Sequence, residues 1–129
     1  MNSLNGIIKN TKTVDGITHI HIEVENKILS SLILSNEEEY KEEQLVNLFF
    51  KETEVMIATK ESIVSARNSF VSPITFINIG EILAQVEFDF YGTKIVSIIT
   101  KGALYDLKCQ VGDEFRWFVK SNEISIQKV

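Results

Sequence analysis

At 129 residues the chain has room for one ordinary domain or two very small ones, and its 44% hydrophobic and 24% charged residues are those of a folded chain rather than a disordered one. Thirteen basic residues against eighteen acidic ones leave a net charge of −5. That balance argues against non-specific nucleic-acid binding and against an anionic membrane surface, yet leaves room for a small anion held by a local pocket of donors.

In chain order the elements are short and strand-like. A strand from about Leu4 runs through Ile7-Ile8 to a turn at Asp15-Gly16, and Ile17 to Glu25 then alternates strictly. Ile20, Ile22 and Val24 face one way, with His19, His21 and Glu23 opposite. Asn26-Lys27 closes a hairpin, and Ile28 to Leu34 returns. Ser35-Asn36 followed by Glu37-Glu38-Glu39 predicts a short helix, since a capping side chain and an acidic first turn both favour one. Leu45 to Phe50 and Glu54 to Ala58 are the next strands.

The second half runs through the same order. Phe70 to Ile79 is a strand in which Pro73 predicts an edge or a bulge. Gly80-Glu81 turns the chain, Ile82 to Phe90 alternates, Tyr91-Gly92-Thr93 is a hairpin turn, and Lys94 to Thr100 returns. Lys101 to Leu107 predicts a short helix and Val111-Gly112-Asp113 a turn, before strands at Phe115 to Lys120 and Glu123 to Ile126.

The halves repeat each other. Lys51-Glu52-Thr53-Glu54-Val55-Met56-Ile57 matches Lys120-Ser121-Asn122-Glu123-Ile124-Ser125-Ile126 at an offset of 69, and Lys27-Ile28-Leu29 matches Lys94-Ile95-Val96 at 67. We read an all-β chain with short helices, built as two tandem OB-like small β-barrel domains at residues 1–61 and 62–129. Each is too small to be comfortable alone, so the pair is expected to share a core or to pack on a partner chain.

Between the halves lies Ser65-Ala66-Arg67-Asn68, which offers a hydroxyl, a guanidinium and a carboxamide within four residues and no negative charge. Followed by Ile99-Thr100, Val111-Gly112-Asp113-Glu114 and Phe118-Val119-Lys120-Ser121-Asn122-Glu123-Ile124, it resembles the molybdenum-pterin-binding (Mop/TOBE) domain in its tandem, di-Mop form. The resemblance is carried by residues 64–128, with residues 3–58 as a diverged copy. It implies a cytoplasmic protein that binds molybdate or tungstate as ligand, with no other cofactor, for storage, homeostasis or delivery to cofactor synthesis. It also implies a homo-oligomer with sites between subunits, and transport or cofactor-synthesis proteins as further partners.

The implied oxyanion-binding residues are Ser65, Ala66, Arg67, Asn68, Thr100, Lys120 and Ser121. The Ser65-Arg67 loop of one subunit is expected to meet Thr100 and Lys120 of another. The chemistry agrees, because a tetrahedral dianion has only acceptors and needs converging donors, positive charge and no nearby carboxylate. The sequence departs from the family pattern at Ala103, where a further hydroxyl is usual. In the first half Ile33 is matched to Thr100 and Met1 to Arg67, with Lys51 kept as the match of Lys120, so that half reads as a poor anion site.

Other features have plainer readings. His19 and His21 with Glu23 form either a metal cluster or a solvent-facing strand face, and the latter is the commoner arrangement. The run Glu37, Glu38, Glu39, Glu42 and Glu43 reads as a solvated face. Trp117 with Phe88, Phe90, Phe115 and Phe118 reads as core or subunit interface rather than a base-stacking platform. Cys109 is the only cysteine, which excludes an intrachain disulfide and a cysteine zinc cluster; it reads as a small hydrophobe in a reducing cytosol. The N-terminus has no signal-peptide pattern, and no apolar run reaches membrane-span length. No catalytic constellation or phosphate-binding glycine loop is present, so the chain does not read as an enzyme. The alternatives to storage are an oxyanion-sensing or ligand-free regulatory or protein-interaction module and, further off, an OB-type nucleic-acid binder.

Overall fold

Asp15-Gly16, Glu25-Asn26 and Tyr91-Gly92 each place two consecutive residues at positive φ. Two-residue turns of that hand match the twist of antiparallel strands, so each closes a tight hairpin. Gly92 is further fixed by its N–H, which donates to Asp89 Oδ1 at 2.9 Å. The computed structural model describes residues 1–34 and 39–129. The helix start expected at Ser35 to Glu38 lies outside them, and Glu39 to Gln44 forms a turn rather than a helix.

Ten strands make two five-stranded antiparallel sheets. The first-half strands are β1 (Asn2–Val14), β2 (Ile17–Val24), β3 (Lys27–Leu34), β4 (Leu45–Phe50) and β5 (Met56–Ala58). The second-half strands are β6 (Asn68–Ile79), β7 (Leu83–Phe90), β8 (Thr93–Thr100), β9 (Glu114–Val119) and β10 (Ser125–Lys128). The one helix among the described residues, α1, spans Lys101–Leu107.

The long strands β1 and β6 each serve two neighbours. Residues 2–7 of β1 pair with β4, and the remainder pairs with β2. β6 divides in the same way between β9 and β7. Each bends at an irregularity in the register, at Lys9 in β1 and Thr75 in β6, and such bulges curl a strand so that one sheet wraps toward a barrel. Pro73 sits two residues before the second of these, as the last partner of β9 opposite Glu114. There its missing N–H costs the ladder little.

The order of the sheets is β10-β4-β1-β2-β3 and β5-β9-β6-β7-β8. Each sheet therefore takes its fifth strand from the other half. Two short 3-10 turns, Glu52–Glu54 and Ser121–Glu123, carry the chain across, the first packing on β8 and the second on β3. The crossing is pinned at matching points. Val55 and Ile124 are buried, and their carbonyls accept hydrogen bonds from Ser97 Oγ (2.6 Å) and Ser31 Oγ (2.8 Å). Ser31 and Ser97 are 66 positions apart, as are the two bulges, so the structure corrects the hairpin offset from 67 to 66. With that register Leu34, not Ile33, is the counterpart of Thr100, each ending its strand opposite Ile17 and Leu83.

One hydrophobic cluster spans both halves, as the shared-core expectation had it. Ile20, Ile22 and Val24 point into it from β2, and Val86, Phe88 and Phe90 from β7. Trp117 is fully buried, stacked on Phe50 of the first half at 6.1 Å and edge-on to Phe90 at 5.3 Å. Its indole N–H donates to Ser72 Oγ at 3.0 Å, so the polar edge is satisfied in the core. These rings are interior packing and offer no platform for bases. Cys109 is buried as expected, and desolvation, aided by Asp113, pushes its thiol up to about 11.

Candidate functional site

The Ser65–Arg67 loop owes its position to the residues on either side of it. Upstream, Thr59 and Ser62 close a turn through their hydroxyls at 2.7 Å. Arg116 on β9 spans the loop's two ends, donating from Nη2 to the Lys60 carbonyl (2.9 Å) and from Nη1 to Ser69 Oγ (3.0 Å). Downstream, Asn68 is fully buried. Its Oδ1 accepts from the Ser30 N–H at 2.7 Å and its Nδ2 donates to the Ser30 carbonyl at 2.9 Å.

Held in this way, Ser65, Ala66 and Arg67 face Lys120, Ser121 and Asn122 across a cavity of about 190 Å³, with Leu32 of β3 as the apolar wall. The space is several times the ~30 Å³ that a water occupies in the liquid. Arg67 and Lys120 are exposed, and among the described residues neither pairs with a carboxylate. Among the described residues no carboxylate lines the cavity. Two free cations, two hydroxyls and an absence of negative charge suit an acceptor-only anion.

Three other cavities lack this combination. One along Asn5 to Ile7 carries Glu23 and Glu25 and no cation. A second, beneath Leu32 to Leu34, has no charged residue. The third holds Lys51 with Glu54 and Glu123, and at the first-half position matching Ser121 stands Glu52, ion-paired to the Met1 amino group at 2.6 Å, so carboxylates oppose an anion there. This agrees with the reading of the first half as a poor site.

Of the seven residues expected at the site, Ser65, Ala66, Arg67, Lys120 and Ser121 line the one cavity. All five belong to a single chain, so Lys120 does not have to come from another subunit. Asn68 is not among the lining residues, and its carboxamide is bonded at both ends to the Ser30 backbone. Thr100 is not among the lining residues. It ends β8, two strands away from β6 in the same sheet, and caps α1, its Oγ1 accepting from the Ala103 N–H at 3.1 Å. Its place in the sheet explains the separation: the strand exchange puts the Ser121 turn on β3 and leaves β8 beside the Glu52 turn.

The histidine face is half-buried rather than wholly solvated. No group suited to a metal is found among the described residues. His19 Nε2 instead bonds Ser30 Oγ at 2.7 Å, and Ser30 Oγ bonds Ser121 Oγ at 2.8 Å, so the histidine joins the back of the cavity. The His19 and His21 rings lie 4.4 Å apart, tilted by 58°. Burial first, then His21 and Arg67, hold the His19 imidazole below its ordinary value. Ser30 and Arg116 escaped the sequence reading, in which His19 figures only as part of a metal cluster or a solvent-facing strand. Their signals were a serine on an otherwise apolar strand, a histidine of an alternating strand and an arginine between Phe115 and Trp117, none distinctive without the fold.

No family model and no curated protein matches the chain. Among solved structures, the cytoplasmic molybdate-binding protein ModG, in a crystal form with molybdate bound, aligns with a TM-score of 0.93 at 20% identity, over 99% of this chain and 96% of that one. MopII from Clostridium pasteurianum, in an apo form, is 32% identical over 46% of this chain and 90% of its own, with a TM-score of 0.44. Over essentially its whole length, then, this chain has the two-domain OB-like fold of ModG.

Proposed function

We propose that the chain binds molybdate or its near-isostere tungstate, holding the oxyanion for storage, homeostasis or delivery to cofactor synthesis in the cytoplasm. The observation that carries the reading is the cavity in which Arg67 and Lys120 meet the Ser65 and Ser121 hydroxyls with no carboxylate on the lining or paired to either cation among the described residues. Charge-assisted hydrogen bonds to the four oxygens would replace the anion's hydration shell. A ModG-like fold whose namesake was crystallised with molybdate supports the choice of ligand. We read residues 1–61 and 62–129 as the two repeat units, of which the second supplies the Ser65–Arg67 loop and the Lys120-Ser121 turn. The chain acts as a binding protein rather than an enzyme.

Thr100 belongs to the proposal through assembly. Exposed at the end of β8, it is placed to complete a neighbouring copy's site in a homo-oligomer. The test is isothermal titration of the full chain with molybdate, tungstate, sulfate and phosphate, with sedimentation run on the same samples. Tight binding of the first two, weakened at least about tenfold in Arg67→Ala, is the expected result, since a hydrogen bond to a charged group is worth about 1.5–3 kcal/mol. Absence of heat and of thermal shift at saturating molybdate would sink the reading, and a ligand-free interaction module would replace it.

A further inference from the structure

The Ser121 hydroxyl stands at the junction of two environments. It lines the anion cavity, yet it is nearly buried and bonded at 2.8 Å to Ser30 Oγ, which in turn meets His19 Nε2 at 2.7 Å. Each serine has a single proton, so the three groups form a relay with only two directions. If Nε2 is bare it must accept from Ser30. Ser30 then accepts from Ser121, whose only proton is spent at the back, and only lone pairs face the cavity. If Nε2 carries a proton, in the imidazolium or in the neutral Nε2–H tautomer, it donates to Ser30, Ser30 donates to Ser121, and the Ser121 proton is released toward the cavity.

We propose that His19 is a positioning residue for the oxyanion site: acting through Ser30, it sets whether Ser121 presents a donor or an acceptor to the ligand. The inference rests on the anion-binding reading above and adds to it the group that selects for a fully deprotonated oxyanion. A dianion has no proton to give to an acceptor, so it can occupy the cavity only with the relay turned toward it. Ser121 addresses an oxygen of the anion and not its central atom.

The surroundings of His19 couple this relay to pH. Facing it are His21 on its own strand, Lys12 directly across on β1, Arg67 from the loop and the neutral Ser30 from β3. Glu23, the carboxylate of that strand face, lies beyond His21. Among the described residues the near neighbours are neutral or cationic, in keeping with an imidazole held below its ordinary value by burial, His21 and Arg67. A dianion beside Arg67 and Lys120 cancels that repulsion and favours the protonated ring. Binding therefore takes up a proton at His19, and affinity rises as pH falls through the interval between the free and bound midpoints. Each unit by which the midpoint rises corresponds to about a tenfold limiting gain in affinity.

The experiment follows the histidine ring signals of the full chain by NMR from pH 6 to pH 8.5, with and without saturating molybdate. Calorimetry at pH 6, 7 and 8, in buffers of different ionisation enthalpy, accompanies it. The expected result is an upward move of the His19 midpoint on binding, net proton uptake, and tighter binding at pH 6 than at pH 8. His19→Gln, whose amide can donate to Ser30 at every pH, is expected to bind with a flat pH profile, whereas His21→Gln keeps the slope. Binding that is lost in Arg67→Ala yet is independent of pH, with both the His19 midpoint and the tautomer read from its ring nitrogen shifts unmoved, overturns the relay and leaves the anion site standing. Absence of any molybdate binding overturns both. The measurements on the unaltered chain decide the matter even if a variant fails to fold.

Discussion

Asn68 holds Ser30 by both backbone groups, the carboxamide oxygen at 2.7 Å from the Ser30 N–H and its nitrogen at 2.9 Å from the Ser30 carbonyl. The mirror image lies 66 positions earlier, where Asn2 Nδ2 donates to the Val96 carbonyl at 2.9 Å and Oδ1 accepts from its N–H at 2.8 Å. Each asparagine starts the long strand of one half and clamps the third strand of the other. An asparagine side chain reproduces a peptide group, one donor beside one acceptor, and so continues a ladder where no strand is present.

Asn68→Ala removes both partners of Ser30 in a fully buried setting. Leaving two backbone groups unsatisfied costs about 1–3 kcal/mol each, so a loss of roughly 2–5 kcal/mol in stability is expected, read by urea denaturation. Because the same clamp positions Ser30 behind Ser121, anion affinity should fall as well. A variant as stable as the parent would show that the clamp is incidental.

The exchanged strands depend on Ser31 and Ser97, both fully buried and each bonded to a carbonyl at the foot of the crossing strand. Ser31→Ala and Ser97→Ala are each expected to cost about 1–2 kcal/mol, with similar values in the two halves. The double variant should be close to additive, since the pairs share no partner. Strongly unequal effects would argue against equivalent roles in the repeat.

Gly6 in β1 is required by close approach rather than by its backbone angles. A Cβ built there lies 2.5 Å from Ile22 Cγ2, 2.9 Å from the Glu23 carbonyl oxygen and 2.9 Å from Val24 Cγ2. The backbone oxygen cannot swing aside as a side chain can. Gly6→Ala is expected to destabilise by about 1–3 kcal/mol, the usual cost of overpacking, seen as a lower thermal midpoint. Gly102, with open space around its Cβ position, serves as the control at which alanine should stabilise α1 by up to about 1 kcal/mol.

Cys109 is predicted to be inert in the folded chain. With its thiol pushed up to about 11, only about one molecule in a thousand carries the reactive thiolate at pH 8. Reaction with an aromatic disulfide reagent should be slow in native buffer and become rapid in denaturant. Fast native labelling would mean that the segment after α1 opens readily.

Much of the fold was legible because its signals are local. Alternation over Ile17 to Glu25 and Ile82 to Phe90 assigned the buried faces, and these strands appear with those faces inward. Leu45 to Phe50 and Lys101 to Leu107 appear with the expected bounds. The cavity residues Ser65, Arg67, Lys120 and Ser121 were marked by donor chemistry and by a family-like pattern, and the fold gathers them. Asn68 was marked by the same pattern, but the sequence could not tell a donor facing a ligand from one holding a neighbouring strand.

The strands along the chain, the hairpins, the repeat and the type of ligand its polar loop could hold are all written in local sequence. Each of these follows from nearest-neighbour conformation, residue periodicity or charge. Only the tertiary structure decided where the last strand of each half goes, because the backbone groups of a sheet edge accept any strand of fitting register. That exchange carries the Ser121 turn onto β3 and leaves β8, with Thr100 at its end, beside the Glu52 turn. It also places Ser30 and His19 behind the cavity, a contact across 91 positions between Ser30 and Ser121 that no local pattern encodes.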